Sequence, residues 1–377
     1  MSNIIQCTRC ILDQQDDPSI QFNDHGVCNY CLKYEEDYVK NALSPSEKAE
    51  ELKRNIQQIK DSKKGAKYDA ILGLSGGIDS SYLAMKAKDF GLNCLLVHFD
   101  NGWNSELAVM NIESISKYTG FDLHTYVVDW NEYKELQVAY IKSGVIDWEV
   151  PTDHGFYACL FNTAAKYKIT SVLAGFNHQS EAILPSNWNW RKNDLANLKD
   201  IFKKYGKGQL KTFPQLSFWK KLYYDKVNKS IMFPLLEYME YNVEDAKKEI
   251  IEKMKWRDYG GKHFESIFTR FYQGYILPQK FGVDKRKGHF SSLICSGQLT
   301  RQEALEMIKK PSYDSNLMEE DKIYFMKKLG FSVDEFNTIM LSKPVLHTDF
   351  ATYEKNLYPY YFGVIQYWTK LKRLFKN

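Results

Sequence analysis

Apolar positions in the first half of the chain come in two registers. An apolar run at 70–74 and a largely apolar one at 94–99 have the length of buried strands, and 123–128 and 170–174 read as two further strands. Between them, over 105–118, 132–142 and 156–168, apolar residues recur at helical spacing. This alternation predicts an α/β fold, a parallel sheet covered on both faces, with ligands at the carboxyl ends of the strands. Ahead of it, Ser44-Pro45-Ser46-Glu47 is a capping box with Pro at the first helical position, and it opens a charged surface helix to about residue 63.

From Pro185 onward the pattern turns helical. Helices are expected over 199–205, 218–226, 242–256, 263–275, 291–295, 300–310, 319–329 and 332–341. Thr300-Arg-Gln-Glu303 and Ser332-Val-Asp-Glu335 supply further capping boxes. The stretch 358–375 is aromatic and then basic, as a solvated terminal helix would be. The expected organisation is a cysteine unit at 1–43, a linking helix at 44–66, a nucleotide-binding domain at 67–185 and a mainly helical substrate or partner domain at 186–377.

Composition changes this picture little. The 377 residues are 44% hydrophobic and 26% charged, as in an ordinary soluble protein, and a net charge of +4 neither demands nor excludes nucleic acid. No apolar run approaches a membrane span, and the opening Met-Ser-Asn-Ile-Ile-Gln-Cys has no signal-peptide pattern, so a cytoplasmic location and no membrane partner are expected.

Four of the seven cysteines cluster at the start. Cys7-x-x-Cys10, seventeen residues and Cys28-x-x-Cys31 have the spacing of a four-thiolate Zn²⁺ site, which is normally structural. His25 is then a bystander, because four sulfurs complete the shell.

The first strand ends in Ser75-Gly76-Gly77-Ile78-Asp79-Ser80-Ser81, after which a helical pattern begins. A strand, a Gly-Gly turn and a helix N-terminus together cradle an anion through backbone N–H groups and the helix dipole. Ser75, Ser80 and Ser81 add hydroxyls, and Asp79 offers a carboxylate for Mg²⁺. The lysine of the G-x-x-x-x-G-K-[ST] loop is missing, so γ-phosphoryl transfer is not indicated. The second strand ends in His98-Phe99-Asp100 and the fourth in Gly175-Phe176-Asn177-His178-Gln179-Ser180-Glu181. Further on, Trp188, Trp190, Arg191 and Lys192 place rings and cations where a substrate would enter. Lys280-Phe-Gly-Val-Asp284-Lys285-Arg286-Lys287 concentrates cations around one acid.

The S-G-G-x-D-S turn resembles the PP-loop of the ATP pyrophosphatases, the superfamily of asparagine and NAD synthetases, argininosuccinate synthetase and tRNA thiolases. That resemblance implies that Ser75, Gly76, Gly77, Asp79, Ser80 and Ser81 hold the pyrophosphate of ATP. It implies that His98 and Asp100 line the adenine and ribose pocket, and that Gly175, Asn177 and Glu181 correspond to the matching NAD-synthetase segment. Taken in order, the cysteine quartet, the PP-loop, GFNHQSE and KFGVDKRKGHFSSLICSGQLTR resemble the N-acetyl sugar amidotransferases of the WbpG/PseA group. This second resemblance spans nearly the whole chain.

It implies ATP-dependent conversion of a sugar acetamido group to an acetamidino group in surface-polysaccharide or nonulosonate synthesis. The acceptor would be nucleotide-linked or a nonulosonic acid, with Asp79, Lys285 and Arg286 acting on the developing phosphate charge. No cysteine has the setting of a glutaminase nucleophile, so ammonia is expected from a HisH-like partner with a HisF-like barrel beside it. Nucleic acid is not expected to bind. The rival reading is a tRNA thiolase with a zinc ribbon, for which Cys159 alone could relay sulfur. A scaffold with a degenerate loop ranks third.

Overall fold

The computed structural model describes residues 4–62, 65–262 and 264–357. The chain opens on a cysteine-bearing unit with two short antiparallel bridges, Gln6 with Asp13 and Phe22 with Cys28. Helix α1 (Asn29–Tyr34) follows and runs on as a π-helical stretch, Glu35–Lys40. In α2 (Pro45–Asp61), Ser44 and Glu47 bond reciprocally at the N-terminus, as the capping-box pattern predicts.

The strand–helix series then runs β1 (Ala70–Gly73), α3 (Ile78–Asp89), β2 (Cys94–Asp100), α4 (Glu106–Thr119), β3 (Asp122–Val127), α5 (Trp130–Ser143), α6 (Val150–Lys166) and β4 (Ser171–Leu173). Next come α7 (His178–Glu181), α8 (Leu195–Tyr205), α9 (Phe218–Lys226), β5 (Ile231–Phe233) and α10 (Val243–Met254). The remainder is helical: α11 (Ile267–Phe271), a π-helical stretch at Tyr272–Phe281, α12 (Lys285–Cys295), α13 (Arg301–Lys309), α14 (Ser315–Leu329), α15 (Val333–Leu341) and α16 (Tyr353–Asn356).

All five strands are parallel, in the order β3-β2-β1-β4-β5. The period-two rule assigns the core. Ile71, Leu95, Val97 and Phe99 enter one apolar cluster with residues of α5, α6 and α8. Ala70, Leu72, Leu74, Cys94 and Leu96 enter a second cluster with α3, α4 and α10. From β1 the chain steps outward to β2 and β3, then returns across β1 to β4. That reversal opens a crevice at the carboxyl ends of β1 and β4, where open α/β sheets bind ligands.

Three expectations change. The half read as mainly helical, with no strand expected in it, contributes β5, whose Ile231–Phe233 pairs with Ser171–Leu173 of β4. Helix α6 begins at Val150 rather than 156, with Pro151 tolerated in its first turn. Lys285, Arg286 and Lys287 form the first turn of α12 instead of preceding a helix, with the Asp284 side chain capping it. The basic terminal stretch at 358–375 lies outside the described residues.

Two buried histidines make stability depend on pH. His154 Nε2 accepts from Leu216 N, so its Nδ1 carries the hydrogen and donates to the Lys192 carbonyl. His347 Nδ1 donates to Asn197 Oδ1, because the Asn197 amide nitrogen is already donating to carbonyls. Burial pushes both imidazoles from 6.5 down to about 4. The unfolded chain therefore takes up these protons first. The stability they contribute is fully present above about pH 6.5 and is lost as pH falls towards 4. Thermal midpoints measured from neutral pH down to pH ~4.5 should fall with a slope that His347→Gln reduces by about one proton.

Candidate active site

The turn between β1 and α3 has the shape its glycines permit. Gly76 is left-handed, at φ +86°, and Gly77 caps α3. Ser75 Oγ accepts from the Gly77 N–H at 3.1 Å and lies 3.2 Å from Ser80 Oγ. Ser81 Oγ donates to the Gly77 carbonyl at 2.6 Å. Gly175, at the end of β4, packs against this turn: a Cβ there would sit 3.6 Å from Asp79 C and Ser80 N. That is ordinary van der Waals contact, so the two strand ends of the crevice pack side by side.

Asp79 is the carboxylate of the turn. Its Oδ1 accepts from Tyr241 Oη at 2.5 Å and from Asn177 Nδ2 at 3.1 Å. Asn177 is in turn fixed by accepting from the N–H and hydroxyl of Ser180, both at 2.9 Å. Burial, then the Asp79 charge, pushes the Tyr241 hydroxyl well above its ordinary pKa, so it remains a donor.

A segment invisible to sequence reasoning closes over the turn. After α10, Trp256 Nε1 and Tyr259 Oη both donate to the Gly76 carbonyl, at 2.8 and 2.5 Å. A Cβ on Gly77 would lie 3.2 Å from Glu265 Oε1. The segment's far end is pinned by Ser105 N to the Glu265 carbonyl at 2.9 Å. Between these anchors, Lys262 Nζ reaches Glu181 Oε1 at 3.0 Å. Burial works against the Lys262 charge, but Glu181 and then Asp79 outweigh it and hold the pKa above the ordinary lysine value. Lys262 therefore brings to the turn a positive charge that the missing P-loop lysine would otherwise supply. The signal was Gly260-Gly261-Lys262, which falls in the gap between the helices expected over 242–256 and 263–275 and carries no assignment there.

The other anticipated residues divide. Glu181 joins the site through Lys262. His98 and Asp100 lie at the end of β2, engaged within the protein. His98 Nδ1 donates to the Leu74 carbonyl, and its Nε2 meets Asn104 Nδ2, both at 2.9 Å. Asp100 accepts from Gly102 N at 2.9 Å and Asn104 Nδ2 at 3.2 Å. His178 pairs with Glu237 and stacks on Tyr38 with ring centroids 4.7 Å apart.

Arg286 is turned away, onto Asp284 and the Lys310 carbonyl at the end of α13. Lys285 bonds Glu149 at 2.8 Å, within a cluster where Lys192 spans Asp147 at 2.6 Å and Asp153 at 3.0 Å. Burial, then the charge of Asp153, pushes the Tyr157 hydroxyl above its ordinary pKa. Rings at 188 and 190 do not line an entrance. Trp188 is buried with Nε1 donating to the Asp16 carbonyl at 2.7 Å, and Trp190 stacks on His347.

Cys7, Cys10, Cys28 and Cys31 are buried together, with all four sulfurs within 4.8 Å of one another. Cys7 Sγ lies 3.9 Å from Cys31 Sγ, and Cys10 Sγ 3.7 Å from Cys28 Sγ. A tetrahedral zinc with bonds of about 2.3 Å sets its sulfurs about 3.8 Å apart, so the quartet fits that ion. Amides of Arg9, Cys10 and Cys28 donate to Cys7 Sγ at 3.2–3.4 Å, as a thiolate ligand requires.

Among solved structures, the fold is similar to an NMN synthetase from Francisella tularensis, at 15% identity and a TM-score of 0.32, over 77% of this chain and 98% of that one. It is also similar to an NH3-dependent NAD synthetase from Campylobacter jejuni, at 12% identity and a TM-score of 0.32, over 76% and 97%. No curated protein matches the sequence. Residues 265–365 match the family described as LPS biosynthesis protein WbpG-like, C-terminal domain. That match falls on the helices from α11 to α16, which pack through α12 against α7.

Proposed function

We propose that the chain is an ATP-dependent, AMP-forming amidotransferase that converts the acetamido group of a sugar to an acetamidino group. One observation carries this reading. A carboxylate-bearing S-G-G-x-D-S turn faces a lysine in a chain that also carries a WbpG-like C-terminal domain. An amide oxygen is a poor leaving group, so ATP first adenylates it and releases pyrophosphate; ammonia then displaces AMP. Backbone amides at the start of α3 would hold the pyrophosphate. Lys262, exchanging Glu181 for phosphate oxygens, would neutralise the charge that develops there. Mg²⁺, held by Asp79, would supply Lewis-acid neutralisation of the phosphates. Tyr241 and Asn177 keep that carboxylate in one orientation.

The cluster of Glu149, Asp153, Lys192 and Lys285 is our candidate for the acceptor side, with Lys285 acting on the sugar rather than on phosphate. We retain the division into a zinc unit at 1–43, a linking helix, a nucleotide domain at 67–185 and a substrate or partner region at 186–377, the last lending β5 to the sheet. Ammonia would come from a HisH-like glutaminase with a HisF-like subunit. Against tRNA thiolation stands Cys159, 2% exposed and pushed by burial to a pKa of about 11, a poor sulfur carrier.

The test is AMP and pyrophosphate release with nucleotide-linked and free acetamido sugars plus an ammonium salt. Turnover with tRNA alone, or no ATP cleavage with any sugar, would overturn the proposal. Lys262→Ala should lower kcat/KM for ATP by about a hundredfold, with Lys262→Arg recovering part of it. Unchanged steady-state constants would remove Lys262 from the site.

A further inference from the structure

We propose that the outer face of α9 binds the surface of a membrane containing anionic lipid. The inner face of this helix is conventional. Tyr224 is buried, its ring stacked on Phe161 and its hydroxyl donating to Asn162 at 2.9 Å. The outer face carries Trp219, Tyr223 and Val227 at i, i+4 and i+8, which are 64%, 53% and 60% exposed. Ile231 and Met232 on the edge strand β5 continue this apolar surface and are 43% and 44% exposed. Trp103, Trp148, Trp188 and Trp256 are all buried, so an indole standing in water is out of keeping with the rest of the chain.

Charge selects the occupant. Residues 199–232 hold nine lysines and two aspartates, a net +7 in a chain whose total is +4. Both aspartates are already paired, Asp200 with Lys204 at 2.8 Å and Asp225 with Lys221 at 2.6 Å. Lys220, Lys226 and Lys229, which flank the apolar stripe, are exposed. Amphipathic rings ringed by lysine, with aliphatic side chains beside them, match a lipid headgroup layer over hydrocarbon. Nucleic acid fits less well, because Val227, Ile231 and Met232 offer nothing for a base to stack on and the segment contains no arginine.

One further placement agrees. Strand β5 starts at Ile231, opposite Ser171 at the start of β4, so the Val227–Ile231 end of the face lies at the end of the sheet away from the nucleotide turn. A chain resting on this face keeps its ATP crevice open to solvent. The absence of any spanning helix among the described residues is no obstacle, since surface binding needs none.

The test is co-sedimentation of the full chain with phosphatidylcholine vesicles prepared with and without phosphatidylglycerol. Binding is expected only with phosphatidylglycerol present, accompanied by a blue shift of tryptophan emission. Trp219→Ser with Tyr223→Ser should weaken it about tenfold. Lys220→Glu, Lys226→Glu and Lys229→Glu together should weaken it by about a hundredfold or more. All five side chains are exposed, and unchanged circular dichroism would verify folding. No binding to either vesicle overturns the proposal, as does equal binding by variants and wild type, which would move the contact to another surface. RNA retention lost in the same variants, without vesicle binding, would replace lipid by nucleic acid.

Discussion

Asp79→Asn should reduce AMP and pyrophosphate formation by on the order of a thousandfold, about 4 kcal/mol of transition-state stabilisation, while leaving the thermal midpoint unchanged. The expectation of an intact fold rests on shape. Asparagine retains an Oδ1 that can accept from Tyr241 and Asn177, the two bonds that orient Asp79. What disappears is the negative charge. Lys262 loses one of the three carboxylates that keep it protonated, and Mg²⁺ loses its proposed protein ligand. Tyr241→Phe provides the graded control, because it keeps the charge and frees its orientation. A loss of roughly tenfold there, against a thousandfold for Asp79→Asn, would separate charge from positioning. Activity retained in Asp79→Asn would remove the carboxylate from the proposed metal role.

The contrast between Asp79 and Lys262 marks what the sequence makes legible. Asp79 is visible because everything that positions it is local: a strand, two glycines and a helix start within a dozen residues. Lys262 is held against that turn by Trp256 and Tyr259, whose bonds to the Gly76 carbonyl cross some 180 positions of chain. No periodicity encodes such a contact. The same distinction accounts for the strands. Four of them show as strand-length stretches between helical patterns, whereas β5 is three residues on a sheet edge, two of them exposed, embedded in a helical pattern.

Lys285 and Arg286 show the opposite error. A run of cations looked available for phosphate, but Asp284 caps the helix and occupies Arg286, and Glu149 takes Lys285 from the other half of the chain. Likewise His98 was correctly expected at a strand end, where both its nitrogens meet protein partners. A polar residue at the right address still has to be asked what it already touches.

Removal of the metal from the cysteine quartet should destabilise the whole molecule, well beyond its first forty residues. The quartet shares one continuous apolar cluster with the central sheet. Arg301 donates to the Cys10 carbonyl at 2.9 Å and the Cys7 carbonyl at 3.1 Å. Lys287 bonds Asp13 at 2.9 Å and Asp16 at 2.8 Å, and Cys295 directs its thiol at Cys31 from 3.7 Å. These contacts tie the quartet to α12 and α13.

Helix α12 then reaches the segment after β4 that meets the Asp79 turn. Ser292 Oγ accepts from Ile183 N, and His289 meets the Ser180 carbonyl, both at 2.9 Å, while Ser180 holds the Asn177 that orients Asp79. Structural zinc contributes about 10–16 kcal/mol of apparent binding energy in small domains, so even a fraction of that, lost here, exceeds what any surface contact could restore. Purified protein should contain about one zinc per chain, as measured by elemental analysis. Chelation or Cys28→Ser should lower the thermal midpoint by roughly ten degrees or more and abolish AMP formation in parallel. His25→Ala should alter neither, since His25 is exposed and bonds through its backbone, its carbonyl accepting from Thr8 and its N–H donating to Asn23. A metal-free protein that kept its midpoint but lost turnover would give the quartet a direct part in the reaction. One that kept both would break the line of contacts from Cys31 through α12 to Asp79.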